Sequence, residues 1–317
     1  MVFDEYASTK SLLANFHYDN SVIDSFFTKR GFKVLPNSFS NYNFTPFSMA
    51  SILNMDYLKD IENVSEIKGA DYNKCGTLIK ENKVIKLLSS YGYDIVNCSV
   101  FDLEGLPSSF EISLLPSKTR LITDQTLYNC FMNDIGWHWN LNWLNTHDRA
   151  FTLLEGNNRM VQQVINESAI QNNKPKFLYA HFEMPHAPFF YTANNQLRSR
   201  EEVLRTNNYG TPEEYLEYLP YVNAKVEALI TSVQENTKGK AVIIAMGDHG
   251  YRTLIKGISN EHYFQNLNAI YLPSKDYHLL KDSVSAVNQF RTVFNTLFKQ
   301  SFEMLPDSSI FLKDKPN

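Results

Sequence analysis

Residues 242–250 read VIIAMGDHG, an apolar run that ends in a carboxylate and an imidazole side by side, Asp248 and His249. A carboxylate oxygen and an imidazole nitrogen are a common pair of ligands for a divalent metal ion. The alternative interpretation is an ordinary turn, in which Asp248 caps the next helix and His249 lies on the surface. The tripeptide DHG by itself does not decide between them, so residues elsewhere in the chain must.

A second acidic pair, Asp4 and Glu5, directly follows the apolar residues near the start of the chain. Asp4 and Glu5 lie at the end of the first predicted strand, which is one of the places where a ligand site is expected. An alternative with equal weight is that Asp4 caps the helix that follows, a role for which Ser8 and Thr9 compete.

Thr45 stands directly before Pro46, a residue that is favoured in the first turn of a helix. In one interpretation Thr45 is only the helix N-cap, which contributes about 1 kcal/mol. In the other, its hydroxyl meets the free N–H groups and the positive dipole end of the helix, which suit a phosphate-like or sulfate-like anion. A metal ion bound to this hydroxyl would lower its pKa and make it a nucleophile.

The stretch HFEMPHAPFFY, residues 181–191, holds His186 between Pro185 and Pro188, which fix the backbone around it. A rigid loop suits a histidine that binds an oxyanion or transfers a proton. His181 is interpreted as a core histidine with satisfied hydrogen bonds, because it lies inside a predicted strand. Nothing near His262 distinguishes it from a surface histidine.

Apolar runs alternate with helical patterns along the chain, which predicts βα units around a largely parallel sheet. Ligands of such sheets bind beyond the carboxyl ends of the strands, where these polar clusters are expected. We therefore predict one shared site. The predicted strands are 2–3, 32–35, 176–182, 241–246 and 269–272, and the predicted helices are 21–30, 46–58, 157–171, 201–206 and 220–236.

The 317 residues are predicted to form one domain, with residues 100–150 as a less regular excursion near the cleft that holds all three tryptophans. The 30 basic and 34 acidic side chains nearly balance, which gives no electrostatic reason to expect nucleic acid. The three cysteines show no metal-finger spacing. Because the chain starts as if inside a strand, we expect that an N-terminal portion is absent from it.

Taken together, VFDEYAS, the Thr45-Pro46 pair, MPHAP and DHG resemble the alkaline phosphatase superfamily, in its branch of sulfatases, lipoteichoic acid synthases and phosphoethanolamine transferases. The resemblance spans residues 1 to about 275. It implies an alkaline phosphatase-like α/β sandwich with a central, largely parallel sheet and helices on both faces.

The resemblance also implies the residues of the site. His186 and His262 would hold the anionic group of the substrate or a second metal ion, and Thr45 would be the nucleophile. One divalent cation, zinc or manganese, with magnesium and calcium as further candidates, would be held by Asp4 (with Glu5 as rival), Thr45, Asp248 and His249.

The phrase TPFSMAS places Phe47 and Met49 where formylglycine sulfatases have proline and arginine, and a threonine cannot become formylglycine. The resemblance therefore implies a metal-dependent transferase or hydrolase of phosphoryl (phospho-alcohol) groups that acts through a covalent Thr45 intermediate. Its substrate would be an anionic ester on a cell-envelope lipid or glycan. The alternatives are a sulfate ester hydrolase of the same superfamily and a degenerate, non-catalytic binding module.

The location that the resemblance implies is the periplasm or another extracytoplasmic compartment. The chain would be the soluble domain of a membrane-anchored bacterial protein, and it would associate with the membrane through a segment that this chain lacks.

Overall fold

A six-stranded sheet forms the centre of the computed structural model, which describes residues 1–59, 61, 67–108, 146–253 and 258–313. The strands are β1 (Val2–Phe3), β2 (Lys33–Val34), β3 (Asp94–Cys98), β4 (Lys176–Phe182), β5 (Ile243–Gly247) and β6 (Asn268–Tyr271). Their order across the sheet is β2-β6-β5-β1-β4-β3. Strands β3, β4, β1 and β5 run parallel, whereas β6 is antiparallel to both β5 and β2. The predicted, largely parallel sheet is confirmed.

The helices of the described residues pack on both faces of this sheet. They are α1 (Thr9–Phe16), α2 (Ser21–Lys29), α3 (Thr45–Asn54), α4 (Gly69–Lys80), α5 (Lys83–Ser90), α6 (Thr146–Ala169), α7 (Arg200–Tyr209), α8 (Pro212–Asn236) and α9 (Gln289–Phe298). Several begin with a side-chain cap that satisfies a free backbone N–H of the first turn. These caps are Ser8, Asn82, Ser199 and Thr211.

Two apolar cores lie on opposite faces of the sheet, because successive side chains of a strand point to opposite sides. Phe3 and Ala245 belong to the core under α1, α2, α6, α7 and α8. Val2 and Met246, their direct neighbours in sequence, belong to the core under α3, α4 and α5. The central strands β1 and β5 are thus covered on both faces, and their carboxyl ends are held rigidly.

Several predicted boundaries are wrong for identifiable reasons. Helix α8 begins at Pro212 and not at residue 220, because Thr211 and Glu214 form a capping box there and Pro220 lies inside the helix. The run 242–246 is not wholly buried, since Val242 is 39% exposed and β5 begins at Ile243. The helix expected after Asp4 is α1, and its cap is Ser8 and not Asp4 or Thr9. Of the helices and strands in the described residues, α4, α5, β3 and α9 were not predicted.

Most of the predicted excursion at 100–150 lies outside the described residues, including the three tryptophans and Cys130. Cys75 and Cys98 are buried free thiols, and burial raises the pKa of each to about 12. Among the described residues, no helix combines the length and the apolar character that a membrane span requires.

Candidate metal centre and active site

Asp4, Asp248 and His249 meet at the carboxyl ends of β1 and β5. Phe3 pairs with Gly247 across these parallel strands, so the next residues, Asp4 and Asp248, leave the sheet side by side. Each of the three side chains offers a ligand atom, and these atoms lie within 4.8 Å of one another. Nε2 of His249 is 3.8 Å from Oδ1 of Asp4 and 3.4 Å from Oδ2 of Asp248. All three residues are buried.

The two carboxylate oxygens of Asp248 have different surroundings. Oδ1 accepts hydrogen bonds from the backbone amides of Glu5 and His249, both at 2.9 Å. Oδ2 is buried, faces His249 and has no hydrogen-bond partner among the residues that the structure describes. A buried carboxylate oxygen without a partner is costly, and a bound cation is one of the few groups that would offset that cost. The donor set of the cluster therefore fits a divalent metal ion.

The imidazole of His249 is oriented by the backbone. Its Nδ1 lies 2.8 Å from the carbonyl oxygen of Gly250, which fixes the proton on that nitrogen in the neutral ring. The lone pair on Nε2 then points into the cluster, as in most histidines that bind metal ions. Burial lowers the pKa of His249, so the ring is neutral near pH 7.

Thr45 is the first residue of α3, and its hydroxyl reaches the same cluster. Oγ1 lies 3.2 Å from Oδ1 of Asp4 and 3.1 Å from Nε2 of His249. The N-cap position belongs to Phe44, and no side chain caps this helix. The interpretation of Thr45 as a simple N-cap is therefore wrong, because its hydroxyl faces the carboxylate and imidazole instead of the first turn of its own helix.

The carboxyl groups of the cluster differ in proton affinity. Burial raises the pKa of Asp4 well above its usual range, and the charges of Asp248 and Glu183 add to the effect. Burial also opposes ionisation of Asp248, but the neighbouring imidazoles of His249 and His181 and the hydrogen bond from the Glu5 amide act in the opposite direction, and the pKa of Asp248 is lowered. A divalent cation would relieve the repulsion and hold both carboxyl groups ionised.

Glu5, the rival to Asp4, does not join the cluster. Its Oε1 accepts a hydrogen bond from the backbone amide of Arg252 at 2.9 Å and lies 3.7 Å from the guanidinium Nε of the same residue. The Arg252 guanidinium also lies over the ring of Phe44, 4.6 Å from its centre. The structure brings Asp4, and not Glu5, beside Asp248 and His249, while Glu5 joins β1 to the segment after DHG.

The two glycines around Asp248 and His249 are required by close backbone contacts. A Cβ on Gly247 would lie 2.4 Å from the backbone oxygen of Tyr6, and a Cβ on Gly250 would lie 2.1 Å from the backbone oxygen of His262. Because no larger residue fits at either position, the two glycines allow the loop to press against its neighbours and fix the direction of both side chains.

His186 is attached to the site through its backbone. Its amide donates to the carbonyl oxygen of Asp4 at 3.2 Å, and its Nδ1 lies 2.6 Å from the carbonyl oxygen of Ala187. The ring is half-buried. The predicted His-Pro loop thus lies directly beside the end of β1.

His262 is buried and is held by backbone oxygens on both sides. Nδ1 lies 2.6 Å from the carbonyl oxygen of Ser259, and Nε2 lies 3.0 Å from that of Thr253. Its ring also packs edge-on against Phe16 and Tyr263. Neither nitrogen is free to meet a substrate in this arrangement, and the interpretation of His262 as a surface histidine is wrong.

Two further polar side chains near the cluster were missed by the sequence interpretation. His181 is fully buried and its Nε2 has no hydrogen-bond partner in the described part of the chain, so within that part it is not the satisfied core histidine that was predicted. Burial lowers its pKa to about 4, while the nearby Asp248 acts in the opposite direction. Burial also raises the pKa of Glu183, whose backbone N–H and C=O both bond to the side chain of Asn157. His181 and Glu183 both lie in the stretch 181–191 that contains His186. Their closeness to His186 in the sequence was the one feature that could have indicated a place near the site.

A model of the sulfatase family matches residues 124–279 of the chain. This match includes the His-Pro loop and the DHG motif, whereas Asp4 and Thr45 lie upstream of it. No curated protein sequence matches the chain.

Solved structures resemble the fold over nearly the whole chain. The phosphonate monoester hydrolase of Agrobacterium radiobacter is 13% identical, with a TM-score of 0.55, over 94% of this chain and 72% of that one. The C-terminal periplasmic domain of the phosphoethanolamine transferase EptC from Campylobacter jejuni is 13% identical, with a TM-score of 0.52, over 94% and 87%. A putative sulfatase from Bacteroides fragilis is also 13% identical, with a TM-score of 0.52, over 94% and 73%.

Proposed function

We propose that the chain is a metal-dependent phosphoryl transferase or hydrolase that acts through a covalent ester on Thr45. Membership of the sulfatase-like branch of the alkaline phosphatase superfamily is part of this proposal, and it is supported by the match of the sulfatase-family model to residues 124–279 and by the fold. One observation carries the proposal. The Thr45 hydroxyl lies within 3.2 Å of both Asp4 and His249, at the meeting point of two strand ends and a helix N-terminus. A hydroxyl in such a position is suited to nucleophilic attack.

The cation site of this proposal consists of two carboxylates, an imidazole and a hydroxyl, from Asp4, Asp248, His249 and Thr45. When bound, a divalent cation would lower the pKa of the Thr45 hydroxyl and neutralise charge on the oxygens of the substrate. Mixed oxygen and nitrogen donors suit zinc or manganese. A related periplasmic domain, that of EcEptC from Escherichia coli, has been solved in complex with zinc.

The reaction would take place in two displacements at phosphorus. Oγ1 of Thr45, having lost its proton to solvent, forms a bond to phosphorus while the bond to the leaving alcohol breaks, and protonated His186 supplies a proton to that alcohol. Water or an acceptor hydroxyl then attacks the same phosphorus and gives its proton to neutral His186, and the bond to Thr45 breaks. The N-terminus of α3 contributes free N–H groups and the positive end of its dipole beside the transferred group.

The substrate in this proposal is an anionic ester of a cell-envelope lipid or glycan, and the protein acts outside the cytoplasm at a membrane surface. The names of the similar structures support this class, since two are periplasmic domains and one of these is a phosphoethanolamine transferase. A sulfate ester is the second candidate, because the family model is that of the sulfatases.

The test is intact-mass spectrometry of the protein after incubation with manganese or zinc and one donor at a time. The donors are phosphatidylethanolamine vesicles, p-nitrophenyl phosphate, bis-p-nitrophenyl phosphate and p-nitrophenyl sulfate. We expect an adduct that maps to Thr45, is absent from Thr45→Ala, and names the transferred group by its mass. Protein that binds no stoichiometric metal, forms no adduct and hydrolyses none of the esters would overturn the proposal in favour of a non-catalytic binding module.

A further inference from the structure

Glu5 has a backbone conformation that residues with a side chain rarely adopt. Its φ is 64°, in the left-handed region, and it is the third residue of a turn that the Tyr6 amide closes on the Phe3 carbonyl oxygen at 3.3 Å. Residues with such φ values commonly end helices, as His17 and Met55 do in this protein. Glu5 ends no helix. Its conformation is therefore a local strain that the surrounding contacts must hold in place.

The conformation of Glu5 decides where its backbone groups point. Its amide donates to Oδ1 of Asp248 at 2.9 Å, and its carbonyl oxygen accepts from the hydroxyl of Tyr215 at 2.9 Å. Relaxation of φ to an ordinary value would rotate the amide and the carbonyl group relative to each other, so both hydrogen bonds could not be kept. Because amides hold Oδ1 of Asp248, it is Oδ2 that faces the cation cluster.

Tyr215, on α8, contacts both segments that carry ligands of this cluster. Its hydroxyl donates to the Glu5 carbonyl oxygen and accepts from the Ala7 amide at 3.2 Å, so it spans the end of the strained turn. Burial raises the pKa of Tyr215 well above its usual range, so the hydroxyl keeps the proton that it donates. Its ring stacks on Tyr251, which directly follows DHG, with the ring centres 3.9 Å apart.

We propose that Tyr215 is a positioning residue of the cation site, which holds Glu5 in its left-handed conformation and thereby orients the carboxylate of Asp248. In the described part of the chain its hydroxyl bonds to backbone groups of Glu5 and Ala7, so its effect on Asp248 passes through the Glu5 amide. The inference rests on the proposed function, because the cation proposed there is the ligand whose affinity this orientation would set.

The first test is calorimetric titration of the cation-free protein with zinc or manganese. Tyr215→Phe keeps the ring and removes the hydroxyl. Tyr218→Phe, which removes a hydroxyl from an equally buried tyrosine of the same helix, is the matched control. We expect Tyr215→Phe to raise the Kd of the cation about tenfold and Tyr218→Phe to leave it within about twofold, because groups that orient metal ligands affect metal affinity. The melting temperature alone does not discriminate, since a purely structural role would lower it too.

The second test asks whether Tyr215 acts through the strain at Glu5. Glu5→Gly and Glu5→Ala both remove the carboxylate that bonds to Arg252, but only glycine adopts a positive φ at little cost. Tyr215→Phe should raise the Kd of the cation about tenfold in the Glu5→Ala protein and less than about threefold in the Glu5→Gly protein. If Tyr215→Phe alone does not fold, recovery of folding by Glu5→Gly and not by Glu5→Ala would support the same conclusion.

Amide hydrogen exchange tests the geometry without any cation. The Glu5 amide, which donates to Asp248, should exchange at least about tenfold faster in Tyr215→Phe than in the wild type or in Tyr218→Phe. An unchanged rate would overturn the positioning role.

The binding data can also contradict the inference. A cation Kd of Tyr215→Phe within about twofold of the wild-type value would overturn it, and so would equal effects of Tyr215→Phe in the Glu5→Gly and Glu5→Ala proteins. Tyr215 would then be an ordinary core tyrosine, and the chemistry proposed for Thr45 would be untouched. Wild-type protein that binds neither zinc nor manganese would instead overturn the proposed function, while exchange at the Glu5 amide would still decide whether Tyr215 positions the turn.

Discussion

The hydroxyl of Thr45 lies 3.1 Å from Nε2 of His249, although the two residues are 204 positions apart in the sequence. The contact joins the first residue of α3 to the loop after β5. The same hydroxyl also contacts Asp4, which lies at the end of β1. Separate elements, each rigidly packed, thus hold the reactive atoms together. Because each residue of the site comes from a different element, each single substitution is expected to change one measurable property, such as kcat, cation binding or stability.

Substitution of Thr45 tests the nucleophile. Thr45→Ala should lower kcat for a p-nitrophenyl phosphate ester by at least about 10³-fold, because it removes the attacking oxygen. Its melting temperature should change little, since the lost hydroxyl caps no helix. Thr45→Ser, which retains a hydroxyl, is the matched control and should retain measurable turnover and the covalent adduct. Full activity of Thr45→Ala would contradict the mechanism.

Substitution of Asp248 tests the cation site. Zinc or manganese should raise the melting temperature of the wild-type protein, because a ligand at 100 times its Kd stabilises by about 2.7 kcal/mol. Asp248→Asn should lose most of this stabilisation, because its unpartnered Oδ2 is the ligand atom in question. Asp276→Asn, at an exposed carboxylate, is the control and should respond to cations like the wild type. Equal cation shifts in all three proteins would argue against the site.

The pH dependence of stability tests the raised pKa of Asp4. In cation-free protein the folded state binds the Asp4 proton more tightly than the unfolded state, whose carboxyl has a pKa near 3.8. The contribution of Asp4 to stability therefore falls as pH rises from about 4 through the raised pKa. Denaturant unfolding between about pH 5 and about pH 8 should show Asp4→Asn gaining stability relative to the wild type. A difference that does not vary with pH would refute the shift.

His186 and His262 should respond differently to substitution. His186→Gln should lower kcat by about 10²-fold to 10⁴-fold with little loss of stability, because its half-buried ring lies beside the end of β1. His262→Gln should mainly lower the melting temperature, because it disturbs a buried ring held by Ser259 and Thr253. Kinetics and thermal melts of both variants separate the two roles. If His262→Gln lost kcat but kept the wild-type melting temperature, the prediction would be wrong, and His262 would be assigned a catalytic role.

The sequence allowed prediction of the site wherever a strand ended in an unusual residue. Asp4, Asp248 and His249 all follow apolar strands, and the parallel sheet brings such ends together. Strand β3 escaped prediction because Asn97 interrupts its pattern. The side chain of Asn97 donates to the carbonyl oxygens of Phe101, Leu106 and Pro107 and accepts from the amide and hydroxyl of Ser99, so its partners lie in the segment that follows the strand.

The environment of His181 was equally inaccessible from the sequence. Whether a histidine inside a strand is satisfied depends on which groups of other elements reach it, and no hydrogen-bonding group of the described elements reaches Nε2 of this residue. The role of Glu5 is a similar case, because its partner Arg252 lies 247 positions away. Local patterns predicted which segments form the site, whereas the choice between adjacent residues required the long-range packing.

The two-residue strand β1 has a consequence for the order of assembly during synthesis. Its partners are residues 181–182 and 246–247, so the strand that carries Asp4 cannot be enclosed until most of the chain has left the ribosome. Contacts between such distant residues form slowly, because a long loop must close before they gain any stabilisation. The segment that carries Asp4 therefore gains its contacts with β5 only after residues 246–247 have been synthesised. The cation cluster is complete only when the DHG loop arrives, so the site and the centre of the sheet form in the same late step.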